Sequence, residues 1–315
     1  TRALLAALEA LRARHRPGVP LRTIALLARR GDAQSTELAW LRAGFEAAGY
    51  EAAIVHPDEV TAAEPFTARG IAWQLVYRHL FASRLDEEPA PPVEAAIANW
   101  RGGSSLIVNP PAAQLEMKAT FAHLSRLGAD EAAARRAGLD DDEIDAVRAL
   151  VPWTRRLQRG PAAMPSGDHA HDLVEAIAHD PAQYVVKQSW SYGGTGVFVG
   201  AEAGSDDFRA RLSRAFGAAV GDWRDLCAHA ARDGGFVVQR IAPTAIRPLS
   251  LHTPEASVRG DMRVDYAAYA SLGAGTVPWG GVVRAAPTAI VNIVGGGGVV
   301  PLVAREVADA LARAG

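Results

Sequence analysis

The stretch YVVKQSWSYGGTGVFVG, residues 184–200, decides how this chain is read. A short apolar run ends on Lys187, a segment containing Gly193, Gly194 and Gly196 follows, and a second apolar run begins at Val197. Two β-branched, aromatic-rich runs around a glycine cluster predict two strands joined by a turn. Without Cβ atoms, the backbone N–H groups of such a turn can approach a phosphate chain closely. Neither standard nucleotide fingerprint fits. A Walker-type loop has its lysine after the glycines, and a dinucleotide loop opens a helix, whereas here Lys187 comes first and the glycines join strands. A plain hairpin turn with bulge glycines has the same pattern, so the distinction falls to the lysine.

Lysine is rare in this chain. Of 33 basic residues only Lys118 and Lys187 are lysine, and the rest are arginine. A compact ammonium on a flexible stem fits between phosphate oxygens as a point charge, where a guanidinium brings a wide planar fork. The alternative is that both are surface remnants of an arginine-biased composition.

Upstream, RTIALLARR, STELAWLRAGFEAAGY and EAAIV (22–55) follow the strand–helix–strand order of a βαβ unit, with Ser35 as the expected helix cap. IAWQLVY (71–77), a helix near 92–99 and SSLIV before Asn109-Pro-Pro extend it, which places a small α/β domain at 1–110. Residues 112–150 read as three helices broken at Gly128 and Gly138, and a further helix is expected near Asp168. Beyond the glycine turn come two helices, the strand GFVVQR (235–240), strands at 262–270 and 279–284, the run VNIVGGGGVVPLV and a last helix. Strands and helices no longer alternate, so residues 111–315 are expected to form a second, α+β domain.

Composition excludes several classes. The formal charge of -2 gives no general attraction to nucleic acid or an anionic membrane, and no apolar run is long enough to span a bilayer. A cytoplasmic protein without nucleic-acid or membrane partners is the expectation. A single cysteine, Cys227, rules out an intramolecular disulfide and a cysteine-rich zinc site, and in its helical context reads as a small buried hydrophobe. His169 and His171 lack metal-ligand spacing, and no G-x-S-x-G elbow is present.

The remaining candidates lie on strand-like segments. Gln239 ends FVVQR and offers an amide beside backbone groups able to pair with a base edge; a solvent-facing strand end has the same sequence. Asp261, Arg263 and Asp265 alternate along DMRVDY, so they share one strand face, with Met262 and Val264 on the other. Two carboxylates about a guanidinium suit a magnesium ion and a phosphoryl oxygen; a salt-bridged edge strand has the same sequence. Arg284 closes WGGVVR, and Asn292 interrupts an apolar run just before Gly295–Gly298.

Taken in order, SSLIVNPPAAQLEMKATFAHL, VPWTRR, YVVKQSWSYGGTGVFVG, GFVVQR, DMRVDYAAYA and GGVVRAAPTAIVNIVGGGGVVPLV resemble the circularly permuted branch of the ATP-grasp superfamily, to which glutathionylspermidine-synthase-like ligases are related. The resemblance covers about 105–303. It implies an α+β, ATP-grasp fold behind a small pre-ATP-grasp-like N-terminal domain. It implies ATP and Mg²⁺, and small-molecule or peptide-like carboxylate and amine substrates joined through an acylphosphate. By the same resemblance Lys118 and Lys187 bind phosphates and Gly193, Gly194 and Gly196 cover them. Gln239 lies at the adenine, Arg263 and Arg284 neutralise transferring charge, and Asp265 and Asn292 hold the metal. Many members carry Glu-x-Asn where this chain has Ile290-Val-Asn292, so either a carboxylate from Asp265 or Asp261 serves instead or metal binding is weakened. Specificity is expected in the N-terminal domain and in loops near 155–167 and 244–260. A small-molecule kinase and a nucleotide- or partner-binding module without catalysis are the competing classes.

Overall fold

The computed structural model describes residues 1–32, 34–87, 90–252, 257–269, 280–292, 297–300 and 305–314. It is a mixed α/β structure with several separate sheets, and the chain divides into two units. The first is Thr1–Glu116 together with Ala268–Gly280, of which Ala268, Tyr269 and Gly280 are described. The second is Met117–Ala267 and Gly281–Gly315. Among the described residues no helix is long and apolar enough to cross a membrane.

The first unit contains α1 (Arg2–His15), β1 (Thr23–Leu27), α2 (Ser35–Ala47), β2 (Glu51–Val55), β3 (Val60–Ala62), β4 (Thr67–Ala68) and β5 (Ile71–Ala72). These are followed by β6 (Leu75–Arg78), α3 (Ala90–Trp100), β7 (Leu106–Val108) and α4 (Ala113–Glu116). Its main sheet is parallel, in the order β2-β1-β6-β7. Ile24 to Leu27 are buried without alternation, as a parallel strand covered on both faces requires. Leu8, Leu38 and Phe45 pack in one cluster, and Phe66, Trp73 and Val76 in another. Buried Arg78 donates to Asn109 O at 2.6 Å and pairs with Glu116 at 2.6 Å, tying the end of β6 to α4.

Two expectations for this unit are corrected. IAWQLVY is not one strand. Ile71-Ala72 belongs to the antiparallel β3-β4-β5 sheet, and the buried Trp73 then bonds through its ring N–H to Ala68 O at 3.1 Å before β6 begins. Ser35 does not cap α2. Gln34 takes that position, and Asp32 organises the turn by accepting from Gln34 N at 2.9 Å and Ser35 N at 3.1 Å.

The second unit opens with α5 (Ala119–Ala129), α6 (Glu131–Arg136), α7 (Asp141–Leu150), β8 (Thr154–Arg156), β9 (Ala162–Ala163), β10 (His169–Ala170) and α8 (Leu173–His179). It continues through β11 (Tyr184–Gln188), β12 (Val197–Val199), α9 (Asp206–Phe216), α10 (Trp223–Asp233) and β13 (Phe236–Arg240). It closes with β14 (Ala245–His252), β15 (Ser257–Ala268), β16 (Gly281–Ala286), β17 (Gly298–Val300) and α11 (Arg305–Ala314). Two four-stranded sheets run in the orders β12-β11-β13-β8 and β14-β15-β16-β17. One face of the first is the core: Tyr184, Val186, Phe198, Phe236 and Val238 pack with Phe208 and Trp223. The indole N–H of Trp223 is satisfied by Ile177 O at 3.0 Å. Cys227 is buried in the same core, and burial pushes its thiol up to about 12, as an inert core residue would show.

Three further corrections concern this unit. Gly128 does not break a helix; it lies inside α5, and the break comes at Asp130, whose side chain caps α6 through Ala133 N at 2.9 Å. The helix expected at Asp168 starts at Leu173 under an Asp172 cap, and His169 sits in β10. Much of the expected loop at 244–260 is strand: Ala245–His252 pairs antiparallel with Ser257–Val264. Pro248 is tolerated there because β14 is an edge strand. The expected strand positions 270 and 279 lie outside the described residues.

Candidate functional site

The register of the β12-β11-β13-β8 sheet assembles its polar face. Lys187 stands opposite Val237, which stands opposite Arg156, and Gln239 stands opposite both Val185 and Thr154. These side chains project away from the aromatic core. Lys187 Nζ donates to Gln239 Oε1 at 2.6 Å, and Gln239 Nε2 donates to Thr154 Oγ1 at 2.9 Å. Thr154 is buried and donates in turn to Pro152 O at 2.8 Å. Gln239 is therefore not a solvent-facing strand end but the middle of a relay that fixes the ammonium.

Lys118 arrives from α5. Its backbone N donates to Ser189 O at 3.2 Å, and the buried Ser189 hydroxyl accepts from Ala119 N at 3.1 Å. Ser189 thus joins the end of β11 to the N-terminus of α5. Burial, and then the charge of Lys118, push the Lys187 ammonium below its ordinary range; burial does the same to Lys118. Neither lysine has a carboxylate partner among the described residues. Two partly desolvated cations without counter-charge suit an anionic ligand.

The glycine turn meets Lys118. Lys118 Nζ donates to Ser191 O and lies 5.9 Å from the centre of the Tyr192 ring. Gly193 and Gly194 adopt left-handed φ values of 61° and 78°. A Cβ on Gly194 would strike the Asn292 amide and lie 2.9 Å from Ile290. A Cβ on Gly196 would lie 2.7 Å from those of Gln188 and Ser191. The turn is closed by Gln188 N to Gly196 O at 2.8 Å, and Asn292 Nδ2 donates to Gly193 O at 2.8 Å.

The other predicted residues separate into a second group. Along β15, Met262 is buried and Asp261 exposed, but Arg263, Val264 and Asp265 are all half-buried, so burial alternates only at the start of the predicted run. Arg284 on β16 grips Asp265 with both arms of its guanidinium, Nε to Oδ1 at 2.9 Å and Nη2 to Oδ2. Asp261 stands opposite Pro248 and Arg263 opposite Ile246. Lys118 and Asn292 each bond to the glycine turn, Lys187 bonds to Gln239 within charge range of Lys118, and Asp265 and Arg284 engage each other. Gly295 and Gly296 lie outside the described residues.

This arrangement tests the metal assignment. Both oxygens of Asp265 are taken by Arg284, and the Asn292 amide points its NH₂ at the turn. Among the described residues no three His, Cys, Asp or Glu side chains cluster as a metal site. The donor set does not fit a divalent cation as it stands. Thr154 and Ser189 are the positioning residues that sequence reading missed; a hydroxyl beside a strand end is too common a pattern to single out. No family model and no curated protein matches the chain.

Proposed function

We propose that the second unit is an ATP-grasp-type module, that the first is its pre-ATP-grasp-like companion, and that the protein is an ATP-dependent carboxylate–amine ligase. The observation that carries the reading is the pair of ammonium groups without a carboxylate partner, Lys118 and Lys187, beside a turn in which Gly194 and Gly196 leave no room for a Cβ. Phosphate oxygens take the place of Ser191 O and Gln239 Oε1 on the two lysines, and backbone N–H groups of 193–196 close over the triphosphate. The end of β13 at Gln239 meets the adenine edge.

Phosphoryl transfer asks the protein for positioning and charge neutralisation rather than covalent chemistry. A substrate carboxylate oxygen attacks the γ-phosphorus and the bond to the ADP oxygen breaks. The amine then attacks the acyl carbon, phosphate departs with the bonding pair, and the amine gives up its proton. Arg263, and Arg284 once released from Asp265, stabilise the negative charge, while the closed turn keeps water from the acylphosphate. Magnesium belongs to this reading by resemblance alone. The residues present do not form its site, and no step here runs through it.

A second reading, nucleotide binding without catalysis, draws on the Arg284–Asp265 pair and on Ile290 in place of an acidic residue. Calorimetric titration with a non-hydrolysable ATP analogue, with and without Mg²⁺, beside Lys187→Ala, tests both. Binding by the wild type and at least a tenfold loss in the variant are expected; no binding by folded wild-type protein overturns the proposal. Amine-dependent ADP release then marks a ligase, amine-independent release a kinase, and binding without turnover the second reading.

A further inference from the structure

Beside β8 a cleft of about 700 Å³ opens between α5, β8 and the segment 158–163. Its wall carries Arg126 from α5, Arg155 and Arg156 from β8, and Arg159. The charges on this wall do not balance. Arg159 is answered by Asp172 at 3.3 Å and Glu175 at 3.5 Å. Asp130, also on the wall, is occupied in capping α6. Arg126, Arg155 and Arg156 have no carboxylate partner among the described residues.

Arg155 is held in place by other means. Its Nη1 donates to Ser125 Oγ at 3.0 Å and Thr154 O at 2.9 Å, and its guanidinium lies 5.0 Å from the centre of the Trp153 ring. Trp153 is itself fixed by its ring N–H on Ala163 O at 3.0 Å. A serine and an indole thus orient the fork and leave its charge unanswered. Burial, and then the nearby Arg126, hold the Arg155 guanidinium below its ordinary range, a repulsion that a bound anion would relieve. Much of the remaining wall is alanine, with Leu173. Arg155 stands opposite Val238, on the sheet face away from Lys187, whereas Arg156 shares the face of Lys187 with Val237 between them; neither lysine lines the cleft.

We propose that this cleft is a second anion site, for a small ligand with two or more clustered anionic oxygens on a compact carbon body. Its oxygens meet Arg126, Arg155 and Arg156, and its body lies against the alanines and Leu173. A di- or tricarboxylate and a phosphate ester share this chemistry, and the test separates them. The inference goes beyond the ligase reading and does not depend on it.

Citrate and inorganic pyrophosphate are titrated separately into the full chain by calorimetry at physiological ionic strength, using wild type, Arg126→Gln/Arg156→Gln, Lys187→Ala and all three changes together. Pyrophosphate also suits the lysine site, so the readout is the binding that survives Lys187→Ala: at least one probe is expected to bind there at a single site, about tenfold or more weakly when the two arginines are also replaced. Preference for citrate identifies a carboxylate ligand, and preference for pyrophosphate a phosphate. Surviving binding of equal affinity with the arginines replaced, loss of all binding in Lys187→Ala, or no binding of either probe at millimolar concentration overturns the proposal. Arg126 and Arg156 are exposed, so the double variant should keep the wild-type unfolding midpoint. Arg155→Lys, which keeps the charge but removes the fork from Trp153, supplies an independent loss of binding if it does not. Failure of the nucleotide reading would show only with the ATP analogue and leave these titrations standing.

Discussion

Lys187 sits half-buried between two valines across the sheet, Val197 and Val237, with a second ammonium in range. Its folded pKa is depressed below the reference value of 10.5. Between those two values the unfolded chain binds more protons than the folded one, so this lysine makes stability rise with pH there. Cys227 acts oppositely: its thiol is pushed up from 9.0 to about 12, so its contribution falls as pH rises above 9.0. A comparison with Lys187→Met isolates the lysine. In denaturant titrations across the alkaline range below 10.5, the variant should lack most of the rise that Lys187 supplies. At neutral pH it should stay within about 1 kcal/mol of wild type, the scale of its lost hydrogen bond to Gln239. A variant that loses several times that amount would make Lys187 structural.

Among the elements, the β11–turn–β12 hairpin was readable because its two apolar runs and its glycines are contiguous. The φ of 78° at Gly194 and the nearness of Asn292 make its glycine obligatory. Gly194→Ala should strain the turn locally by about 1–3 kcal/mol. It should weaken ATP-analogue binding, accelerate amide exchange across 189–196 and lower the unfolding midpoint of the second unit by a few degrees; unchanged binding would remove the turn from the site. Other elements were less legible. Pro248 hid β14, because a proline within a run argues against a strand unless that strand is known to lie at a sheet edge. Gly128 looked like a breaker, yet inside a helix glycine costs only about 1 kcal/mol. Here a Cβ would lie 3.1 Å from Val147 of α7, so the glycine serves close helix packing. The pairing of Arg284 with Asp265 had no local signature either, since each residue alone fits a phosphate or metal role as well.

At the scale of the molecule, each unit holds its own core, Leu26 in the first and Ile177 in the second both being wholly buried. Leu26→Ala and Ile177→Ala should each cost about 2–5 kcal/mol, and calorimetric scans should show each lowering a different unfolding transition. A single transition shifted equally by both would mean that the units unfold as one. The division into two was legible from the change in strand–helix rhythm. The boundary, read near residue 110, falls at Glu116, where the buried bond from Arg78 holds α4 to the first unit. The return of Ala268, Tyr269 and Gly280 to that unit was invisible, because no local pattern records which body a residue rejoins. Each lysine already grips an oxygen of the chain, Ser191 O for Lys118 and Gln239 Oε1 for Lys187. In the proposed reaction the nucleotide gains only the surplus over these resident partners, so binding is an exchange. The same two oxygens recapture the ammonium groups as ADP leaves, which makes departure as well provided for as arrival.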